Sequence, residues 1–301
     1  MSQRDRRRRR LGLLLGLIGV ASFSLTLPMT RLAVSSIDAG TVAVWRGLLA
    51  ALAAGVILLF FFRQWPERRQ IIPLFITGVG IVFGFPVLTT LAMQTIPSSH
   101  GAIVVGLLPI STAVVGVLAT NERPSMIFWL ISALGTVFIL VFIFRQSDGR
   151  FELGHIYLIC AVLFAAVGYA FGGTVAKNMG AARVICWALV LMLPGLLVAA
   201  FFVPPVPWKG EVTPLLAFLY LAFVSQLMGF FAWYAGLAMG GITRVSQVQL
   251  LQLFMTLIAS ALILSEPLDA EVWLFAALVV LSVAISSRLR INTTTKKTLV
   301  N

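Results

Sequence analysis

A single positive charge interrupts an apolar stretch that is long enough to cross a membrane. The stretch GTVAVWRGLLAALAAGVILLFFF covers residues 40–62 and carries Arg46 about a turn and a half inside. In a helix, three small side chains share the face of this arginine: Ala43, Ala50 and Ala53. A face of small residues indicates contact with protein rather than with lipid.

The chemistry open to Arg46 is the stabilisation of a negative charge. We expect Arg46 to be structural. Its partner would be an acid near the membrane surface at which residue 40 lies, such as Asp38 or an acid in residues 265–271. Snorkelling to that surface, along about 9 Å of helix, would serve the same purpose. Attraction of a substrate carboxylate is the alternative. Arg31, near the same end of the preceding apolar segment, is also expected to be structural.

A polar stripe runs along the apolar segment VSQVQLLQLFMTLIASALIL. Five side chains fall within an arc of about 120° on a helix: Ser246, Gln249, Gln252, Thr256 and Ser260. Gln247 points nearly opposite. Because amides face lipid only at a cost, the stripe predicts either the wall of a substrate path or hydrogen bonds between helices. Its length of about four turns favours the path, with Gln249, Gln252 and Thr256 in contact with substrate.

Other side chains complete the predicted substrate-binding set. The expected apolar wall consists of aromatic residues near glycine-rich parts of two other segments: Trp233, Tyr234, Tyr169 and Phe164. Gln94 and His100, near the ends of the third and fourth apolar segments, are the remaining members. A wall of this kind suits side chains such as those of phenylalanine or tryptophan.

Enzyme chemistry finds no support among the titratable residues. His100 and His155 are solitary at helix ends, and no nucleophile, metal-ligand or phosphate-loop pattern is present. Cys160 and Cys186 lie in apolar runs and are expected to pack as small hydrophobic residues. We therefore predict no catalytic site, cofactor or metal. None of the ten acids falls in the middle of an apolar segment, so the usual membrane carrier of protons is missing as well.

Composition defines the elements that must position these residues. Of 301 residues, 60% are hydrophobic and 11% are charged, which indicates an integral membrane protein. Continuous apolar runs predict helices, because a barrel needs alternation. Ten such segments are expected: 11–34, 40–62, 71–94, 100–119, 126–144, 154–178, 183–203, 214–239, 245–264 and 271–287.

Basic residues predict how the bundle lies in its membrane. If the N-terminus is cytoplasmic, 17 Lys and Arg residues fall on the inner side and only four on the outer side. The positive-inside rule then places both termini in the cytoplasm. The net charge of +12 and the tract RDRRRRR are therefore read as a topology signal beside an anionic leaflet, and no nucleic-acid partner is expected.

An internal repeat divides the chain. Residues 107–140 parallel residues 251–283, and Glu122 corresponds to Glu266 at an offset of 144 residues. Five helices per repeat is an odd number, so the second repeat is inverted, an arrangement typical of secondary transporters. We expect a basic N-terminus at 1–10, repeats at 11–144 and 145–287, and a cytoplasmic tail at 288–301. Glu122 and Glu266 are expected to be structural charges.

Prolines and glycines in the segments predict movable joints. Pro28, Pro86 and Pro109 interrupt apolar helices, and Gly168 and Gly236 belong to pairs with GxxxG spacing. Static close packing is one interpretation of these residues. Kinks and smooth faces that let helix groups rock are the other.

These features resemble the drug/metabolite transporter superfamily and its EamA-type ten-helix exporters. The likeness rests on the helix–Asn-Glu-Arg-Pro–helix element at 121–124 with its partner at 265–268, on the Ala-Val-Trp-Arg-Gly context of Arg46, and on ten spans joined by short loops. Within this family, the sequence most resembles the bacterial aromatic amino-acid exporters. Two departures are the first-segment sequence VASFSLTLPMT and Leu253, which stands where the first repeat has Pro109.

The resemblance implies an exporter of small organic metabolites, most simply aromatic or neutral amino acids, in a bacterial cytoplasmic membrane. It implies alternating access between the repeats, function as a monomer, and partners limited to the substrate and the lipid bilayer. Obligatory ion coupling is not expected. A membrane receptor or channel subunit, an exporter of other metabolites or drugs, and an intramembrane enzyme are the alternatives.

Overall fold

Helices make up almost all of the computed structural model, which describes residues 3–62, 64–119, 122–124, 126–146, 152–240, 245–288 and 291–293. We number the membrane spans 1 to 10. The first half contains span 1 (Gln3–Ser24 and Thr26–Ala33), span 2 (Ala39–Phe61), span 3 (Arg68–Gly78, Val79–Gly84 and Phe85–Ala92), span 4 (Ser98–Val105 and Leu108–Ala119) and span 5 (Met126–Gln146).

The second half repeats this order. It contains span 6 (Leu153–Met179), span 7 (Ala181–Ala200), span 8 (Val212–Leu219, Tyr220–Met228 and Gly229–Gly240), span 9 (Ser246–Gln249 and Leu250–Leu264) and span 10 (Ala270–Arg288). Strands β1 (Glu122–Pro124) and β2 (Ile291–Thr293) form one short antiparallel pair. Within the described ranges, six spans are long and apolar enough to cross a bilayer, and four shorter apolar helices accompany them. The predicted all-α membrane architecture of two inverted five-helix repeats is confirmed.

The ends of the bundle can be told apart by their connections. Residues 34–38, 93–97, 201–211 and 265–269 join spans at the end opposite the N-terminus, which we call the distal end. Large apolar side chains such as Phe60, Phe201 and Leu262 are exposed on the outside of the bundle, as expected for contact with lipid chains. Buried residues from both halves form the main core.

Spans 3 and 8, which are equivalent in the two repeats, each contain a wider π-helical segment. These segments are Val79–Gly84 and Tyr220–Met228. In span 3 the π segment lies just before Pro86, whose missing N–H leaves the carbonyl oxygen four residues earlier without its helical donor. The span 8 segment contains no proline. π segments inside α-helices occur often at functional sites.

Spans 1 and 4 are each broken close to a proline. Span 1 is interrupted at Leu25, three residues before Pro28, and span 4 at residues 106–107, just before Pro109. Proline cannot donate to the previous helical turn, so a break on its N-terminal side satisfies the local geometry. The interruption in span 1 has partners from span 8: Tyr220 donates its hydroxyl to Ser22 O at 2.9 Å, and the hydroxyl oxygens of Thr26 and Ser225 are 2.8 Å apart.

Glycines let two pairs of spans approach closely. A Cβ atom added at Gly236 in span 8 would lie 2.7 Å from Gly16 N and 2.9 Å from Gly12 O in span 1. A Cβ atom added at Gly80 in span 3 would lie 2.9 Å from Gly168 N in span 6. These are backbone contacts, so a side chain at either glycine would push the helices apart.

Candidate functional site

Equivalent spans of the two repeats meet around a small pocket. Span 4 contributes residues from Ala102 to Pro109, and span 9 contributes Gln249, Gln252, Leu253 and Thr256. The pocket contains about 240 Å³ of space between atoms, part of it open to the surroundings, and offers room for water rather than for an amino acid in this conformation. The side chain of Leu253 packs against Gly106 of span 4. A Cβ atom added at Gly106 would lie 2.7 Å from Leu253 Cδ1.

The pocket brings together three members of the predicted stripe. Gln249 is 4% exposed, and neither its amide nitrogen nor its amide oxygen has a hydrogen-bond partner among the described residues. Gln252 and Thr256 are also buried along the same wall. The side chains of Ser246 and Gln247 lie outside the described ones. A buried amide without partners is costly, and a polar ligand or water in the pocket would satisfy it.

The stripe continues from the pocket to the distal end. Thr256 O accepts a hydrogen bond from the Ser260 hydroxyl at 2.8 Å, and the hydroxyl oxygens of Ser260 and Ser98 are 2.6 Å apart. Ser98 belongs to span 4, so this contact joins the two repeats. Sequence reasoning predicted the polar face of span 9 but not its partner in span 4.

Glu266 closes the same end. Its two carboxylate oxygens each accept a backbone N–H of span 4, from Ser98 and from Ser99, both at 2.8 Å. These N–H groups open a helix and have no partner inside it, so a carboxylate there satisfies them and complements the helix dipole. The side chain of its counterpart Glu122 lies outside the described ones, although the Glu122 backbone pairs with Thr293.

Further contacts tie the distal end together. Arg31 donates to Met93 O at 2.5 Å, and Thr41 and Trp45 both donate to Pro204 O, at 2.8 and 3.2 Å. Arg145 at the end of span 5 pairs with Glu271 at the start of span 10. Most of these contacts join one repeat to the other, so the distal end is closed in this conformation.

An aromatic cluster forms a second buried group. Phe23, Tyr169, Phe230 and Trp233 lie with ring centroids 4.8 to 6.4 Å apart. Trp233 is 1% exposed and its indole nitrogen has no described partner. Tyr234 donates its hydroxyl to Gly168 O at 3.2 Å and packs against Gly172. Sequence reasoning identified Tyr169, Trp233 and Tyr234; the mutual approach of spans 1, 6 and 8 adds Phe23 and Phe230.

Three predicted substrate-binding residues lie elsewhere. Phe164 is 41% exposed and packs its ring against Gly84 of span 3. Gln94 is exposed in the connection after span 3. The ring of His100 lies 5.3 Å from that of Phe142 and 6.1 Å from that of His155. None of the three lines the pocket between spans 4 and 9.

Arg46 lies in a third buried group. Its Nη2 donates to Gln226 Oε1 at 3.0 Å, and Gln226 Nε2 in turn donates to Ile81 O at 2.8 Å. Arg46 is 1% exposed, so its side chain does not snorkel to a surface. Asp38 and Glu266, the predicted types of partner, serve helix ends instead. The Gln226 amide, in the apolar run FVSQLMGF, was the signal that sequence reasoning missed.

The hinge candidates are buried in the bundle. Pro28 and Pro86 adjoin the irregular parts of spans 1 and 3, and Pro109 lines the pocket. Gly168 and Gly236 lie at close helix contacts. No group of three or more histidine, cysteine or acidic residues in the described part of the chain is arranged to hold a metal ion.

Comparisons with known proteins agree with this architecture. The model of the EamA-like transporter family matches residues 10–144 and again 152–288. An uncharacterized transporter of Bacillus subtilis (strain 168), YdeK, is 44% identical over 252 residues, which cover 83% of this chain and 88% of the relative. A solved structure described as "Crystal structure of protein" aligns over 92% of this chain and 98% of its own, with a TM-score of 0.62 and 16% identity, a likeness of fold. This multi-pass membrane chain belongs to the EamA-like transporter family.

Proposed function

We propose that the protein exports small organic metabolites, in the first place neutral and aromatic amino acids, by alternating access between its two repeats. The observation that carries this proposal is the pocket where equivalent spans of the inverted repeats meet, with the unpartnered amide of Gln249 in its wall. Transporters built from inverted repeats bind their substrates at the interface of the repeats. The halves that move are residues 11–144 and 145–287.

Two features favour amino acids. The amide of Gln249 offers both a donor and an acceptor, which suits a polar group of an amino acid such as its ammonium. The cluster of Phe23, Tyr169, Phe230 and Trp233 provides an aromatic surface inside the same bundle. Aromatic walls with few polar groups are typical of sites for small apolar molecules.

Orientation gives the transport cycle a direction. With both termini in the cytoplasm of a bacterial cell, the distal end faces outward. Glu266, Ser98 and Ser260 then close the outer side of the path in the described conformation, and export requires these contacts to separate. Spans 3 and 8 contribute π segments, and spans 1 and 4 contribute breaks, at which the halves can bend.

Transport assays in proteoliposomes test the proposal. Purified protein is loaded with unlabelled L-phenylalanine, and entry of labelled L-phenylalanine, L-tryptophan, L-leucine, uridine and tetraphenylphosphonium is measured. We expect counterflow of the amino acids, unaffected by an uncoupler because the sequence has none of its ten acids in the middle of an apolar segment. Counterflow restricted to the nucleoside or the cation would contradict the substrate class.

A matched pair of variants connects the assay to the pocket. Gln249→Leu replaces the amide with an apolar side chain of similar size. Leu251→Ala changes a lipid-exposed neighbour on span 9 and is the control. A hydrogen bond to the substrate contributes about 1 kcal/mol. Its loss in Gln249→Leu should therefore slow amino-acid transport about fivefold. Leu251→Ala should transport at the rate of the unchanged protein. Equal rates in both variants would show that the substrate does not contact this pocket.

A further inference from the structure

Arg46 is a buried charge whose neighbours do not neutralise it. It is 1% exposed, and the hydrogen bond to Gln226 occupies one of its five N–H donors. Nε and Nη1 are buried without a hydrogen-bond partner among the described residues. The two ion pairs among the described residues are Arg69–Glu67 and Arg145–Glu271, and neither involves Arg46.

A bundle can stabilise an intramembrane arginine by pairing it with an acid or by letting it snorkel. Among the described residues Arg46 has no acidic partner, and at 1% exposure it does not snorkel. Removing a guanidinium from water without a counter-ion costs several kcal/mol, which a neutral amide offsets only in part. The remaining donors of Arg46 are therefore suited to an anion from outside the chain.

Gln226 is held so that it faces Arg46 with its acceptor. Its Nε2 donates to Ile81 O, which fixes the amide and turns Oε1 towards the Arg46 Nη2. Gln226 and Ile81 belong to the π segments of spans 8 and 3. Span 2 and the two irregular segments thus form one polar junction in the apolar interior.

We propose that Arg46 and Gln226 form the subsite that takes the carboxylate of the transported molecule. This inference rests on the proposed function and assigns it a second polar contact, separate from Gln249. Nε and Nη1 lie on different edges of the guanidinium, and each can donate a charge-assisted hydrogen bond to a carboxylate that approaches its edge. The subsite is closed in the described conformation, and it becomes accessible when the halves separate.

The aromatic cluster lies where the rest of such a molecule would extend. Phe230 and Trp233 follow Gln226 by four and seven residues in span 8, just past the end of the π segment that contains Gln226, so the cluster begins about one turn farther along the same span. An amino acid with its carboxylate at Arg46 reaches this cluster with its side chain. The subsite therefore selects molecules that combine a carboxylate with a large apolar or aromatic group.

Ligand-dependent thermal stability of the purified protein in detergent tests the subsite. The ligands are L-phenylalanine, L-leucine, L-phenylalaninamide, phenethylamine and sodium chloride. We expect the two amino acids to raise the Tm, and the amide and amine, which lack the carboxylate, to bind about 100-fold more weakly. Chloride should leave the Tm unchanged. Stabilisation by chloride equal to that by the amino acids would indicate a site for inorganic anions and overturn the assignment.

Three variants separate the subsite from general effects. Arg46→Met removes the charge and keeps an unbranched stem, so it should fold and lose the response to the amino acids. Gln226→Glu places a carboxylate beside Arg46 and gives up the bond to Ile81 O, because an ionised carboxylate has no hydrogen to donate; it should lose the response to the amino acids. Arg69→Gln removes an arginine whose side chain is 80% exposed and should keep the full response.

The outcomes distinguish this inference from the proposed function. If Arg46→Met fails to fold, Gln226→Glu still decides, because it retains the arginine. Amino-acid counterflow by the unchanged protein, together with an undiminished response in Gln226→Glu, would overturn the subsite and leave the function standing. Absence of amino-acid counterflow would overturn the function, and absence of any Tm response to the carboxylates would overturn the subsite.

Discussion

At the scale of single residues, polar side chains in this bundle fall into two groups. Glu266, Ser98 and Ser260 have close hydrogen-bond partners that join the repeats. Arg46 and Gln249 are as deeply buried, yet some or all of their polar side-chain atoms have no described partner. Such atoms cost stability unless something else satisfies them, so the first group stabilises the fold, and we propose that a ligand satisfies the second.

Substitution of Arg46 should reveal its contribution to packing. Arg46→Ala removes the charge, the stem and the bond to Gln226, and leaves a void among buried residues. Arg46→Lys retains the charge and most of the stem but loses the planar fork. We expect the Tm in detergent to fall more for the alanine variant than for the lysine variant. Equal Tm values for both would show that the side chain contributes nothing to packing.

Substitution of Glu266 should weaken the contact at the distal end. Glu266→Gln retains the shape but leaves one acceptor oxygen, so one of the two charge-assisted bonds from the Ser98 and Ser99 N–H groups is lost and the other becomes weaker. We expect a loss of about 2 kcal/mol in the free energy of unfolding, measured by denaturant titration. Asp269→Asn, at an exposed position of the same connection, is the control and should change stability little. A similar effect of both changes would point to general surface charge instead.

Residue types in the sequence were enough to identify the buried polar candidates but not their partners. The polar stripe predicted Gln249, Gln252 and Thr256 as one face, and the pocket contains all three. The contact of Glu266 with Ser98 joins residues 168 positions apart, which helical periodicity within one span cannot encode. Phe164 was grouped with the aromatic wall because it precedes a glycine-rich stretch, whereas its ring packs against Gly84.

At the scale of helices, the contact of spans 1 and 8 depends on the absence of side chains. Gly236→Ala would place a Cβ atom 2.7 Å from Gly16 N, and this backbone atom cannot move without displacing span 1. We expect a lower Tm for Gly236→Ala. Gly55→Ala is the matched control, because the nearest atom to its Cβ is Val190 Cγ2 at 3.9 Å. Alanine favours a helix by about 0.5–1 kcal/mol over glycine, so the control should be neutral or slightly more stable.

Chemical labelling should show which face of span 9 meets water. In a variant without Cys160 and Cys186, cysteines at Gln249, Gln252 and Thr256 should react with a membrane-impermeant thiol reagent during transport, and substrate should protect them. Cysteines at Leu251, Ile258 and Leu262, on the lipid-exposed face, should react slowly. Equal labelling of the two faces, or labelling without protection, would show that the stripe does not line the path.

At the scale of the whole molecule, apolar length and the internal repeat were sufficient to predict the architecture. The ten expected segments correspond to the ten spans, and the family match repeats over 10–144 and 152–288. The interruptions were only partly foreseen. Pro28 and Pro109 predict the breaks in spans 1 and 4, and Pro86 predicts the irregular part of span 3. The π segment Tyr220–Met228 forms without a proline. Its geometry depends on packing between spans, including the Gln226 bond to Ile81 O, which local sequence does not contain.

Alternating access between the repeats requires the distal end to open and close. The Ser98 and Ser260 hydroxyl oxygens lie 2.6 Å apart across this end, so a cysteine pair there is close enough for a disulfide. The pair Ser98→Cys with Ser260→Cys, in a background without Cys160 and Cys186, would therefore lock the distal end under oxidation. Each single cysteine variant serves as a control for the effect of substitution alone.

Amino-acid counterflow in proteoliposomes containing this double variant, measured before and after oxidation, is the most direct test of the account. We predict that oxidation abolishes counterflow, that a reducing agent restores it, and that neither treatment affects the single variants. Complete cross-linking with an unchanged rate of counterflow would contradict transport through an opening between the repeats at this end.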